Sequence, residues 1–145
     1  MKVKDCMGIK EIVQATPESN IQEIAELMNQ NHVGCIPICQ EEQVVGIVTD
    51  RDIVTRAIAG KLDCHTTKVS DIMNTTVIKT TPDTDINDAL EVMKKNQIRR
   101  LPVMEGEKIV GILSMGDIAV TLEEEEIGET FSCICEEDDC EKHCD

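Results

Sequence analysis

The sequence predicts an α+β fold made of two similar halves, and three observations carry that prediction. Sliding the chain by 65 positions lays Ala15–Val54 on Thr80–Ala119 without a gap, with identities that include Thr16, Pro17, Ile21, Glu26, Met28, Asn31, Pro37, Val45, Gly46, Asp52 and Ile53. Within each copy the apolar residues switch between the two-residue period of strands and the 3.6-residue stripe of a helix. A stretch rich in chemistry, Gly46-Ile-Val-Thr-Asp-Arg-Asp52, returns as Gly111-Ile-Leu-Ser-Met-Gly-Asp117. A unit of this size buries too small a core alone, so the two are expected to pair their apolar faces about a pseudo-twofold axis.

The elements follow in the same order in both copies. A short β-leaning run, Glu11 to Ala15 and Val77 to Thr80, meets Thr-Pro, which favours extended backbone before a turn. Asn20 with Glu23, and Asp85 with Asp88, place a capping side chain and an acid at the start of a helix. Apolar residues then recur at Ile21, Ile24, Ala25 and Met28, and at Ile86, Ala89, Leu90 and Met93, the stripe of a helix with one buried face. Asn31 and Asn96 are the expected stops. Two strands come next, Cys35 to Cys39 and Val44 to Thr49, with Leu101 to Met104 and Ile109 to Ser114 as their counterparts. A second helix starts near Asp50 or Gly116. Upstream, Val3-Lys-Asp-Cys-Met7 matches Val69-Ser-Asp-Ile-Met73 after a one-residue slip. The expected division is therefore a first unit at 1–60, a linker at 61–68, a second unit at 69–121 and a tail at 122–145.

Composition narrows the function. The apolar share of 41% can build a core, but Phe131 is the sole aromatic residue, so bases cannot stack on aromatic platforms. A net charge of −15 argues against nucleic acid, whose affinity rests on basic residues. The last 25 residues hold eleven acids against one lysine, so the tail carries most of that charge. Neither an apolar signal region nor a spanning run of apolar residues is present, which points to the cytoplasm with no membrane partner. No nucleophile–base–orienter pattern appears, and no enzymatic activity or catalytic cofactor is expected.

At each repeated turn a hydroxyl, Thr49 or Ser114, stands three residues before a carboxylate, Asp52 or Asp117. Hydroxyls donate and accept while ionised carboxylates only accept, so each pair suits a diol or phosphate-bearing ligand near a helix start. The same spacing also describes a helix cap, and the two uses are compatible.

The order Val-x-Asp-x-Met, Thr-Pro, apolar helix, apolar-Pro-apolar strand and Gly-Ile-Val-Thr-Asp-Arg-Asp resembles the CBS domain, and its repetition resembles a tandem CBS pair, or Bateman module, over residues 1 to about 121. The flavour is similar to small stand-alone bacterial CBS proteins. The resemblance implies two β-α-β-β-α units with a cleft that takes AMP, ADP, ATP or S-adenosylmethionine. It gives Asp52 and Asp117 the ribose hydroxyls, Thr49 and Ser114 the ribose or phosphate, and Arg99 and Arg100 the phosphates. Ile36-Pro37 and Leu101-Pro102 would enclose the adenine, and Arg51 joins the candidate ligand residues, although it could equally pair with a nearby acid. A regulatory homodimer acting on another protein is the implied role, with ligand shifting the arrangement of the halves.

The two sites are expected to differ. Gly34-Cys35 stands where the second copy has Arg99-Arg100, and Met115-Gly116 stands where the first has Asp50-Arg51. If Arg99 and Arg100 lie on a strand, one should point inward and one outward. Met7, Met28, Met73 and Met93, with Cys6 and Cys39, read as core filling, and His32 as a polar residue after a helix. Outside the resemblance, Cys133, Cys135, Cys140, His143 and Cys144 could wrap one zinc ion; an acidic, solvated tail is the competing reading. A metal- or redox-responsive protein, with the repeats as a dimerising scaffold, is accordingly the alternative function.

Overall fold

The computed structural model describes residues 1–7 and 12–121. Packing gathers Glu11–Val77 into one compact unit, and Met1–Lys10 with Ile78–Asp145 into the other. These boundaries cut across the duplication, because the leading segment of each repeat docks on the helix of the other repeat. Val69 donates its N–H to Ser19 O at 2.8 Å and buries in a core with Ile21, Ile24, Ile36 and Ile38. Val3 in turn donates to Thr84 O at 2.9 Å and is buried with Ile86, Leu90, Met93 and Leu101. The segment expected as a linker thus lies inside the unit 11–77, where Cys64 O and Thr67 O accept the N–H groups of Gln22 and Ile21. Those N–H groups belong to a first helical turn and have no partner within the helix.

The unit Glu11–Val77 contains α2 (Ile21–Asn31), β1 (Cys35–Gln40), β2 (Gln43–Thr49) and α3 (Asp50–Asp52), which continues as a π-helical stretch over Ile53–Ile58. A 3-10 turn, Val69–Asp71, completes it. The other unit holds α1 (Val3–Cys6), α4 (Ile86–Asn96), β3 (Arg100–Glu105), β4 (Lys108–Ser114) and α5 (Met115–Ala119). The Asn20 side chain accepts from Glu23 N–H and that of Asp85 from Asn87 N–H. Asn31 and Asn96 are the last helical residues, and His32 and Gln97 follow in the left-handed region at φ 54° and 55°. No helix among the described residues is long and apolar enough to cross a membrane.

Each strand pair is an antiparallel hairpin with a bulge, between Ile38 and Cys39 in one and between Val103 and Met104 in the other. The expected strands at 11–15 and 77–80 shrink to single bridges, Ala15 parallel to Ile38 and Thr80 parallel to Val103. Proline explains the limit. Ala15 donates to Pro37 O and accepts from Cys39 N–H, so the ladder would next need N–H groups from residues 37 and 17, and both are proline. Pro102 and Pro82 stop the pairing around Thr80 in the same way.

The repeated methionines have a defined place. A Cβ on Gly46 would lie 2.6 Å from Met73 Sδ, and one on Gly111 would lie 3.1 Å from Met7 Cε. Each glycine is thus the floor on which the methionine of the crossing segment packs.

Candidate functional site

In both units the first hairpin strand ends opposite the turn of interest: Cys35 pairs with Thr49, and Arg100 with Ser114. The next N–H groups, of Asp50 and Met115, donate to Gly34 O and Arg99 O at 2.9 and 3.0 Å, which fixes where each helix leaves the hairpin.

Both turns form a reciprocal cap. Thr49 Oγ1 accepts from Asp52 N–H at 3.2 Å, and Asp52 Oδ2 accepts from Thr49 N–H at 2.9 Å. Ser114 Oγ accepts from Asp117 N–H at 3.1 Å, and Asp117 Oδ2 accepts from Ser114 N–H at 3.0 Å. Capping therefore uses the hydroxyl oxygens only as acceptors, and each O–H remains able to donate to a ligand.

Beyond the cap the two carboxylates part company. Asp52 Oδ2 accepts a second bond from Asn74 Nδ2 at 2.9 Å, and Oδ1 faces Arg56 Nε at 3.8 Å. Arg56 is itself anchored through Nη1 to Ile72 O at 2.8 Å. Asp52 is 9% exposed. Asp117 is half-buried and, among the described residues, makes no side-chain bond besides those of the cap. Asn74 and Arg56 were not among the residues the sequence reading singled out. A signal was available, because extending the Val-x-Asp-x-Met match by one residue sets Asn74 against Gly8.

The other candidates are placed as follows. Ile36 and Leu101 are wholly buried in the cores of their own units, and Pro37 and Pro102 are buried too, so the side chains of Ile36 and Leu101 are already committed to internal packing. Arg99 and Arg100 are both exposed, against the expectation of one inward and one outward. Arg99 precedes β3 and Arg100 opens it. Arg51 is exposed. Cys6 and Cys39 are buried as expected of small apolar residues, and burial pushes the Cys39 thiol above its ordinary pKa. Cys133, Cys135, Cys140, His143 and Cys144 lie outside the described residues. Among the described residues no group of three or more His, Cys, Asp or Glu is placed to hold a metal ion.

The twin hairpin-to-helix turns occur in a matching family context: the model of the CBS domain matches residues 3–58 and again 69–124. The chain belongs to the CBS domain family. It is a tandem CBS pair, and some of its relatives are of similar length. CBS domain-containing protein YhcV of Bacillus subtilis is 40% identical over 118 residues, covering 81% of this chain and 83% of that protein. Hypoxic response protein 1 of Mycobacterium tuberculosis is 31% identical over 131 residues, covering 90% of this chain and 86% of that protein. A crystal structure of Hypoxic Response Protein I, described as having two coordinated zinc ions, superposes with a TM-score of 0.73 at 29% identity and covers 85% of this chain and all of that one. The CBS pair of protein MJ0100, solved in complex with 5′-methylthioadenosine and S-adenosyl-L-methionine, gives a TM-score of 0.73 at 28% identity, covering 83% of this chain and 94% of that one.

Proposed function

We propose that this CBS pair is a regulatory sensor of adenosine-bearing ligands, AMP, ADP, ATP or S-adenosylmethionine, with the ribose diol at a Thr/Ser–x–x–Asp turn. The observation that carries the reading is the cap geometry: a hydroxyl with its O–H still available, three residues before a carboxylate, at the end of a hairpin. Such a pair offers one donor and several acceptors, which a ribose diol can use together. The complex of the MJ0100 CBS pair with two adenosine compounds supports the ligand class. Arg100, exposed and opposite Ser114 in the hairpin register, would meet a phosphate. Signalling would follow from a ligand-dependent shift in the arrangement of the halves within a cytoplasmic homodimer, read by another protein.

Thermal unfolding measured with AMP, ADP, ATP and S-adenosylmethionine tests this. At a ligand concentration one hundred times Kd, stabilisation should reach roughly 2.7 kcal/mol, a rise of several degrees. No rise with any of the four compounds would overturn the reading. Zinc binding by Cys133, Cys135, Cys140, His143 and Cys144 stands as a separate proposal, supported by thiolate and imidazole donors at short spacing. Metal content measured on the full chain and on a chain ending at residue 130 decides it: equal zinc in both would remove the tail from consideration.

A further inference from the structure

The two turns carry the same cap but differ in what else their carboxylates hold. Asp52 gives both remaining directions to protein groups, Asn74 Nδ2 at 2.9 Å on Oδ2 and the Arg56 guanidinium at 3.8 Å on Oδ1. Both partners vanish in the other repeat. In the sequence alignment of the repeats, residue 8 corresponds to Asn74 and is glycine, with no side chain to donate; Thr121 corresponds to Arg56, and its hydroxyl is bonded to Ile118 O at 3.1 Å. Among the described residues Asp117 therefore keeps Oδ1 without a hydrogen bond or ion pair, and half of Oδ2 besides. A ribose diol brings two O–H donors and needs two acceptor positions on one carboxylate. To bind at Asp52 it would have to displace the amide of Asn74 and compete with a guanidinium, leaving those donors to find new partners.

We infer that Asp52 is an internal tie, held by the positioning residue Asn74 and by Arg56, and that the ligand's ribose is taken at the Ser114–Asp117 turn, one ligand per chain. This assignment rests on the adenosine reading above for its ligand half, while its structural half stands without any ligand. Asn74, which follows the crossing segment Val69–Met73, also bonds its backbone to Ile47 in both directions at 2.8 and 2.9 Å. The Asn74–Asp52 bond therefore fastens the segment of one repeat to the helix start of the other.

Two measurements keep the halves apart. Without ligand, a double-mutant cycle of Asn74→Ala and Asp52→Ala should be strongly non-additive in thermal midpoint, with Asn74→Ala alone lowering it by about 4 to 8 °C. The pair Asn74→Ala and Asp117→Asn should add. Additivity of Asn74→Ala with Asp52→Ala would overturn the tie. With AMP at saturating concentration, the rise in midpoint should persist in Asn74→Ala and in Asp52→Asn, which keeps the side-chain shape, and vanish in Asp117→Asn. A rise lost in Asp52→Asn and kept in Asp117→Asn would overturn the site assignment. If the unsubstituted chain itself shows no rise with AMP or the other three compounds, the ligand half and the adenosine reading fall together, and the cycle still decides the tie.

Discussion

Glu41 and Glu42 turn the first hairpin at φ 52° and 68°, a region that costs a residue with a Cβ roughly 1–2 kcal/mol. The corresponding hairpin has Gly106 in place of Glu41, at φ 62° and with open space around it. Replacing Glu41 by glycine should therefore raise the unfolding free energy by about 1 kcal/mol in a urea titration, with the gain trimmed by the greater freedom of glycine in the unfolded chain. A loss of stability would show that the glutamate is held by something other than the turn. At the other end of the chain, Lys4 Nζ bonds Asp83 Oδ1 at 3.0 Å, which holds the Asp83 carboxyl below its usual range and raises Lys4. A depressed carboxyl pKa means that the attraction is present above the unfolded value and is lost as pH falls through the folded one. A carbon-detected NMR titration should place Asp83 below an ordinary aspartate and return it to the ordinary range in Lys4→Ala. Both groups are exposed, so global stability should barely move.

Among the elements, the repeated Gly-x-x-Thr/Ser-x-x-Asp run does two jobs. Its hydroxyl and carboxylate build the cap, while its glycine admits a methionine from a distant segment. Gly46→Ala would press on Met73 Sδ at 2.6 Å, Met73 Cγ at 2.9 Å and the Asn74 carbonyl at 3.1 Å, whereas Gly111→Ala meets only the flexible end of Met7. Gly46→Ala should cost roughly 1–3 kcal/mol and Gly111→Ala distinctly less, read from paired denaturation curves. Equal losses would mean that Met73 can give way as easily as Met7. The helices and hairpins were legible because stripes, caps and Pro-bearing strands repeat in register. The short leading strands were overread, since alternation says nothing of missing donors, and Pro17, Pro37, Pro82 and Pro102 each remove one from the ladder. At the site, the Thr49–Asp52 and Ser114–Asp117 pairs could be read from spacing alone. The Asn74 partner of Asp52 could not, because a bond across 22 residues leaves no periodic trace and the mismatch with Gly8 marks only a difference between the copies; Arg56, four residues after Asp52, stands at a helical spacing that was open to reading.

For the molecule as a whole, duplication and packing are different divisions. The repeats run in sequence, but Val3 and Val69, each wholly buried, close the cores of units to which their own repeats do not otherwise belong. Val69→Ala and Val3→Ala should each destabilise by about 2 kcal/mol despite lying in short segments that look like tethers. The duplication kept the caps in both turns and let the aligned sequence positions diverge, Asn74 and Arg56 in one copy against glycine and Thr121 in the other. That divergence predicts a sensor with one adenosine site per chain. A native mass spectrum of the full chain titrated with AMP counts the ligands directly. One AMP per chain in the unsubstituted protein and none in Asp117→Asn is the result expected; two per chain, or one that survives in Asp117→Asn and disappears in Asp52→Asn, would contradict it.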